Sequence, residues 1–202
     1  RQSPLFLGQM DTFLEQSPDV MPTGLALVDF GLIATDMLYY GVAKNQFDGG
    51  AQITASHNPK QYNGMKLVRQ HALPLNGDDG ISDIRDMIIA GHIPPTGKMR
   101  GNYCTENIMA PYIEHVASFI DPALVKPFSL VLDAGSGMAG LIAPILFSLL
   151  PCKTTRLCFE IDGSFPSHEA NPLIEENRRD LIGTVRAHNA DAGIAWDGDA
   201  DR

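Results

Sequence analysis

Short apolar runs bounded by glycine, proline and polar clusters alternate along this chain with longer segments whose apolar residues fall at helical spacing. That alternation is the strongest constraint on the fold. Leu25 to Asp29 reads as a strand, Thr35-Asp36 opens a helix through about Lys44, and Ala51 to Thr54 and Asn63 to Arg69 read as further strands before a helix over Ile81 to Ala90. Ahead of them, Ser3-Pro4 resembles a cap and first-turn proline for a helix carrying Leu5, Phe6, Met10, Phe13 and Leu14. Pro94 to Gly97 reads as a loop between two units. The rhythm then repeats, with a helix from Pro111 to about Phe119, an apolar strand at Ser129 to Leu132, and a buried helix over Met138 to Leu150. A strand at Leu157 to Ile161, a polar loop from Asp162 to Pro172, a helix from Asn177 to Asn189 with Leu181, Ile182 and Val185 facing inward, and a strand at Ala192 to Trp196 complete it. Two consecutive α/β units of roughly 100 residues each are predicted.

Length and composition exclude several classes. With 202 residues, 44% hydrophobic and 19% charged, the chain can bury a real core and is far from disordered composition. A formal charge of -9 argues against holding nucleic acid or an anionic membrane by bulk electrostatics. Cys104, Cys152 and Cys158 form no C-x-x-C pair and leave an odd thiol, which fits a reducing, cytoplasmic setting. The Met138 to Leu150 stretch is shorter than the roughly 20 residues a bilayer span requires, so no membrane partner is expected. The chain opens at Arg1 with no secretory pattern and reads as a fragment.

Three motifs could carry chemistry. Asp197-Gly198-Asp199-Ala200-Asp201-Arg202 follows an apolar strand and spaces three carboxylates two residues apart. Hard cations such as Mg²⁺ take oxygen ligands, and a tight turn eased by Gly198 can aim alternate side chains at one point. The plainer alternative is a solvated acidic edge; an EF-hand is excluded because its sixth position, which requires glycine, is Arg202. Thr54-Ala55-Ser56-His57-Asn58-Pro59 ends a strand and precedes Asn63-Gly64-Met65-Lys66. A strand-end serine can carry a phosphoryl or acyl group while a nearby His or Lys moves the proton, although the same residues also make an ordinary polar turn. No G-x-S-x-G elbow is present, which weakens a serine hydrolase. Finally, Gly135 to Gly140 satisfies G-x-G-x-x-G, with Glu160 about twenty residues on, the pattern of a dinucleotide- or S-adenosylmethionine-binding turn.

Taken together, the motifs resemble the α-D-phosphohexomutase superfamily, in particular its bacterial phosphomannomutase/phosphoglucomutase type. T-A-S-H-N-P around Ser56 resembles the phosphoserine loop, N-G-M-K from Asn63 to Lys66 the segment after it, and D-G-D-A-D-R from Asp197 to Arg202 the metal loop. Val131 to Gly140 resembles the turn opening the second domain, and Phe165 to Pro172 its F-P-N-H-x-P-N-P loop, with departures at Ser167 and Ala170 that alter loop rigidity. The resemblance implies α/β domains with mixed sheets flanked by helices: domain I over 1–104, N-terminally incomplete, and domain II over 105–202.

It also implies a mechanism. Ser56 carries a phosphoryl group, donates it to a hexose monophosphate, and recovers the other phosphoryl from the resulting hexose 1,6-bisphosphate, so that phosphate moves between C1 and C6. Mg²⁺ on Asp197, Asp199, Asp201 and a phosphate oxygen on Ser56 neutralises charge on the transferring group. Lys66 exchanges a proton with the sugar hydroxyl, His57 supports it, Arg202 meets phosphate or orients the loop, and Asn58 organises the turn. The expected partner is a hexose phosphate, with little or no full turnover by the 202 residues alone. N-G-M-K favours the phosphomannomutase type over phosphoglucosamine mutase, the alternative within the superfamily; a cofactor-binding domain built on Gly135 to Gly140 and a non-catalytic remnant are the alternatives outside it.

Overall fold

A computed structural model describes residues 26–92 and 101–202. The expected N-terminal helix and the Pro94 to Gly97 loop lie outside the described residues. In the first half, β1 (Leu27–Asp29), α1 (Thr35–Lys44), β2 (Gly49–Ile53), β3 (Met65–Arg69), the two-residue β4 (Leu73–Pro74), α2 (Ile81–Ile89) and β5 (Tyr103–Thr105) follow one another. The second half runs α3 (Met109–Ala117), β6 (Ser129–Asp133), α4 (Ala139–Ser148), β7 (Lys153–Leu157), α5 (Arg179–His188) and β8 (Ala192–Ala195).

Both parallel and antiparallel pairing occur. β1 pairs with β5 in parallel, and β2, β3 and β4 form an antiparallel sheet in which Ile53 faces Met65 and Gly49 faces Arg69. β6 is the centre of a parallel sheet of order β7-β6-β8, in register Asp133 to Leu157 on one side and Asp133 to Ala195 on the other. Its sequence, Ser-Leu-Val-Leu-Asp, carries an unbroken apolar run, and the successive, oppositely directed Val131 and Leu132 are both fully buried. From β6 the chain crosses to β7 on one side and then returns past it to β8 on the other. The carboxyl ends of β6 and β8 therefore flank the topological switch point, the place where open α/β sheets put their ligand sites.

One apolar core joins the halves. Met37, Leu38 and Val42 of α1 pack in the same cluster as Ile113 of α3, Met138, Ile142 and Ala200 from the second half. The Asp36 carboxylate accepts a hydrogen bond from the Tyr112 hydroxyl, and the Tyr40 hydroxyl donates to the Pro111 carbonyl at 2.9 Å, so α3 is also bolted to α1 by polar contacts.

Three local expectations need correction. The strand expected at Leu157 to Ile161 lies earlier, at Lys153–Leu157, where threonines fit a pleated half-buried surface; Cys158 then turns to φ 53° and ends it. The helix expected to be buried over Met138 to Leu150 spans Ala139–Ser148 and buries one face only, leaving Ile145 and Leu149 exposed. On α5, Leu181 is buried and Val185 half-buried, but Ile182 is exposed, since the stripe at i and i+4 turns the intervening position outward. The helix opened by Thr35-Asp36 runs over Thr35–Lys44 as expected, with Ala34 in the cap position and the Thr35 hydroxyl engaged elsewhere.

Candidate active site

The loops that end β2 and β8 meet at the switch point. Ser56 lies just past β2 at φ 54°, a left-handed conformation that costs a non-glycine residue about 1 to 3 kcal/mol and has to be held by its surroundings. The Ser56 backbone N–H donates to Thr54 Oγ1 at 2.8 Å, and both the backbone and the side-chain amide of Asn58 donate to the Ala55 carbonyl at 3.0 Å. Facing it, Asp197 to Arg202 closes on itself: the Asp197 N–H donates to the Arg202 carbonyl at 3.0 Å, and the Arg202 N–H donates to Asp197 Oδ1 at 3.1 Å. Gly198 is required where the loops touch, because a Cβ there would sit 2.5 Å from the Ser56 carbonyl oxygen.

Every residue expected at the site is brought together. The Ser56 hydroxyl donates to Asp197 Oδ2 at 2.7 Å and accepts from Arg202 Nη2 at 2.7 Å. Arg202 Nη2 also donates to His57 Nδ1 at 2.8 Å, which places the ring proton of a neutral His57 on Nε2. Since the Ser56 proton points to Asp197, the 3.3 Å between Ser56 Oγ and His57 Nδ1 is proximity rather than a committed bond. Lys66, at the second position of β3, ion-pairs with Asp199 at 2.8 Å and with Asp201. Arg202 Nε lies 3.4 Å from Asp197 and 3.6 Å from Asp201.

Burial sorts the three carboxylates. Asp197 and Asp199 are almost wholly enclosed, at 1% and 3% exposure, whereas Asp201 reaches solvent. Burial and the like charges of Asp199 and Asp201 push Asp197 above the usual carboxylate range, against the opposing pull of its bond from Ser56. Burial pushes Asp199 the same way, but Lys66 and the hydroxyls of Thr35 and Thr54 overcome it and hold Asp199 low. Burial alone would lower Lys66; its bonds to Asp199 and Asp201 outweigh that and keep the ammonium form favoured.

The donor set fits a hard cation. One oxygen each of Asp197, Asp199 and Asp201 lie within 4.8 Å of one another. Asp199 Oδ2 is saturated by Thr35 at 2.8 Å, Thr54 at 3.0 Å and Lys66, while its Oδ1 is buried with no hydrogen-bond partner. A buried carboxylate oxygen left unpaired is costly unless something positive meets it.

Thr35 and Thr54 are the site residues that motif reading passed over. Thr54 belongs to the T-A-S-H-N-P motif without an assigned role; Thr35 reads as part of a helix start, and only the tertiary fold reveals that its hydroxyl reaches Asp199. The Thr35 N–H also donates to the Asp199 carbonyl, at 3.1 Å, seating the aspartate loop on the start of α1.

The glycine-rich turn serves the same loops. A Cβ at Gly137 would lie 2.6 Å from the Gly198 carbonyl oxygen, and one at Gly140 would lie 2.4 Å from that of Phe159. The chain's own backbone occupies the space a dinucleotide pyrophosphate would need, and Glu160 is exposed beyond the end of β7. The cofactor-binding alternative is therefore not favoured.

Fold and site together define an α/β protein with a serine and a carboxylate trio at a topological switch point. Known proteins make the class specific. The description "Phosphoglucomutase/phosphomannomutase, alpha/beta/alpha domain I" matches residues 20–91, and its domain II counterpart matches residues 110–202. A relative named "Phosphohexose mutases" from Xanthomonas campestris pv. campestris is 41% identical over 186 residues, covering 92% of this chain and 41% of that protein. A phosphomannomutase from Vibrio cholerae is 37% identical over 188 residues, covering 91% of this chain and 40% of that protein. The crystal structure of a phosphoglucomutase/phosphomannomutase family protein from Burkholderia thailandensis superposes with a TM-score of 0.80 at 33% identity, covering 92% of this chain and 41% of that one. The chain belongs to the phosphoglucomutase/phosphomannomutase family, whose named members are isomerases, and it spans about two-fifths of the length of the relatives it matches. Among the described residues, no helix is long and apolar enough to cross a membrane.

Proposed function

We propose that this chain supplies the phosphoserine and metal-binding half of a phosphohexomutase, a protein that interconverts hexose 1-phosphate and hexose 6-phosphate through a hexose 1,6-bisphosphate, with units dividing at 104/105. The observation that carries the reading is the convergence of Ser56, Asp197 and Arg202, with Ser56 Oγ 2.7 Å from both Asp197 Oδ2 and Arg202 Nη2.

Mg²⁺ fits the trio of Asp197, Asp199 and Asp201 together with an oxygen of a phosphorylated Ser56, and it would neutralise charge on the transferring group. The remaining chemistry belongs to the chain's own residues. When a bisphosphate gives up a phosphoryl group, Ser56 Oγ bonds to phosphorus, the bond from phosphorus to the sugar oxygen breaks, and the serine proton leaves along the path to Asp197. Lys66, whose ammonium lies against the same carboxylates, is the group placed to exchange a proton with the sugar oxygen. The Arg202 fork, which bonds Ser56 Oγ and His57 Nδ1, can take two phosphate oxygens and hold the group in place. The sugar lies outside this half-reaction, so mannose, glucose or glucosamine preference is not assigned to these residues. Cytoplasmic placement belongs to the same reading.

Single-turnover kinetics test the proposal. With glucose 1,6-bisphosphate or mannose 1,6-bisphosphate and Mg²⁺, the chain should release one equivalent of hexose monophosphate and then stop; no release with either compound speaks against it.

A further inference from the structure

A second cluster of ligating atoms lies at the same edge of the parallel sheet, outside the site described above. Asp133 is the last residue of β6, its ladder partner Leu157 is the last of β7, and Cys158 follows directly. His168 reaches them from the loop between β7 and α5. Its Nε2 is 3.1 Å from Asp133 Oδ2 and 3.8 Å from Cys158 Sγ, and one ligand atom from each of the three side chains lies within 4.8 Å of the others.

The tautomer decides what these atoms can do. His168 Nδ1 is 2.9 Å from the Glu169 carbonyl oxygen, which can only accept, so Nδ1 carries the ring proton. In the neutral ring, Nε2 then presents a lone pair toward a carboxylate that is 1% exposed, with the Cys158 thiol 3.8 Å away. With the ring protonated, His168 pairs with Asp133 and Cys158 keeps only its bonds to neighbouring side chains such as Ser167. A cation engages all three atoms, and an Nδ1–H to carbonyl bond is the usual way of orienting a metal-binding histidine. A Cys-His-Asp nucleophilic triad does not fit, because it needs the two partners on opposite ring nitrogens, and here both face Nε2.

We propose that Asp133, Cys158 and His168 form a binding site for a zinc-class divalent transition metal, with a fourth position open to water. A tetrahedral zinc centre with ordinary bond lengths separates sulfur from nitrogen by about 3.6 Å and nitrogen from oxygen by about 3.4 Å. The separations of 3.8 Å and 3.1 Å already lie close to those values. Thiolate and imidazole beside one carboxylate favour zinc over magnesium, so this site and the three-aspartate site select different ions. Zinc-class ions take cysteine as the thiolate, so binding displaces the Cys158 proton. Such an ion fastens the His168 loop to two strand ends. Ala170 of that loop packs 3.3 Å from where a Cβ at Gly135 would lie and 3.7 Å from one at Gly198, so the clamp stands directly behind the Asp197 turn.

The test uses the 202-residue chain in saturating Mg²⁺, which fills the hard site, titrated with Co²⁺ as the spectroscopic probe and then with Zn²⁺. One equivalent of Co²⁺ should produce a thiolate-to-cobalt charge-transfer band, which Zn²⁺ abolishes while raising Tm. The band should vanish in Cys158→Ser, persist in Cys104→Ser/Cys152→Ser, and require at least ~10-fold more Co²⁺ in His168→Gln. No band in the parent chain, or an undiminished band in Cys158→Ser, overturns the assignment. Should either variant fail to fold, alkylation of the parent chain decides: Zn²⁺ should shield Cys158 and spare Cys104, and equal labelling of Cys158 with and without Zn²⁺ contradicts the site.

Discussion

Ser56 and Asp197, 141 positions apart in sequence, share a 2.7 Å hydrogen bond that ties the end of an antiparallel strand in one half to the end of a parallel strand in the other. The two loops are set by backbone as much as by side chains: the Met138 N–H donates to the Gly198 carbonyl at 2.9 Å, and Gly198 leaves room for the Ser56 carbonyl. The serine is thus positioned by the same turn that gathers the carboxylates.

Filling that contact should be costly. Gly198→Ala places a methyl 2.5 Å from the Ser56 carbonyl oxygen, and relieving the clash moves the loops apart. A loss of about 1 to 3 kcal/mol in urea unfolding is expected, together with slower phosphorylation of Ser56. Unchanged stability and phosphorylation would show that the loops can separate freely.

Lys66→Met should destabilise the chain when divalent cations are absent. The substitution leaves Asp199, at 3% exposure, without its ammonium partner, and breaking a largely buried pair from one side costs about 3 kcal/mol, somewhat less here because Lys66 is partly exposed. Added Mg²⁺ should recover part of the loss. A variant as stable as the parent without Mg²⁺ would mean that the pair contributes nothing.

Mg²⁺ itself should raise Tm. At a concentration about 100 times Kd, a ligand bound only by the folded state adds ~2.7 kcal/mol of stability. Asp199→Asn removes the charge nearest the orphaned buried oxygen and should abolish most of that shift. An equal Mg²⁺ shift in the variant would place the ion elsewhere.

The α1–α3 contact predicts an alkaline limit. Burial and the neighbouring Asp36 carboxylate push the Tyr112 phenol well above its ordinary value, so the folded chain keeps that proton after the unfolded chain has lost it. The contribution is complete below the unfolded value of about 10 and declines as pH rises beyond it, by up to ~1.4 kcal/mol per pH unit. Urea unfolding should show that fall, and Tyr112→Phe should remove the Tyr112 share of the slope. Equal slopes in parent and variant would contradict it.

Much of this architecture was legible before the fold was known, for local reasons. Thr35–Lys44 is bounded by a polar start and a basic last turn, and its limits were read directly from those signals. Ser129 to Leu132 reads as a strand from its apolar run, and the structure extends it by one residue to Asp133. Around Leu157 the pattern misled, because Thr154 and Thr155 pair with Leu130 and Val131 while the more apolar Cys158 and Phe159 lie past the strand end. The Ser56 and Asp197 loops each read as candidate sites from their residue types, but only the resemblance joins them, since no periodicity predicts that Ser56 meets Asp197. Thr35 was hidden for the opposite reason: a hydroxyl at a helix start has an obvious local use, and here the fold gives it a distant one. Asp133, Cys158 and His168 belong to no single motif, and only parallel strand pairing brings them together.

The most direct measurement is intact mass with phosphosite mapping of the chain before and after exposure to hexose 1,6-bisphosphate and Mg²⁺. The account predicts one added phosphoryl group, located on Ser56 and absent from Ser56→Ala. A phosphoryl group on any other residue, or none under either condition while Mg²⁺ binds, would contradict the assignment of Ser56 as the phosphoryl carrier.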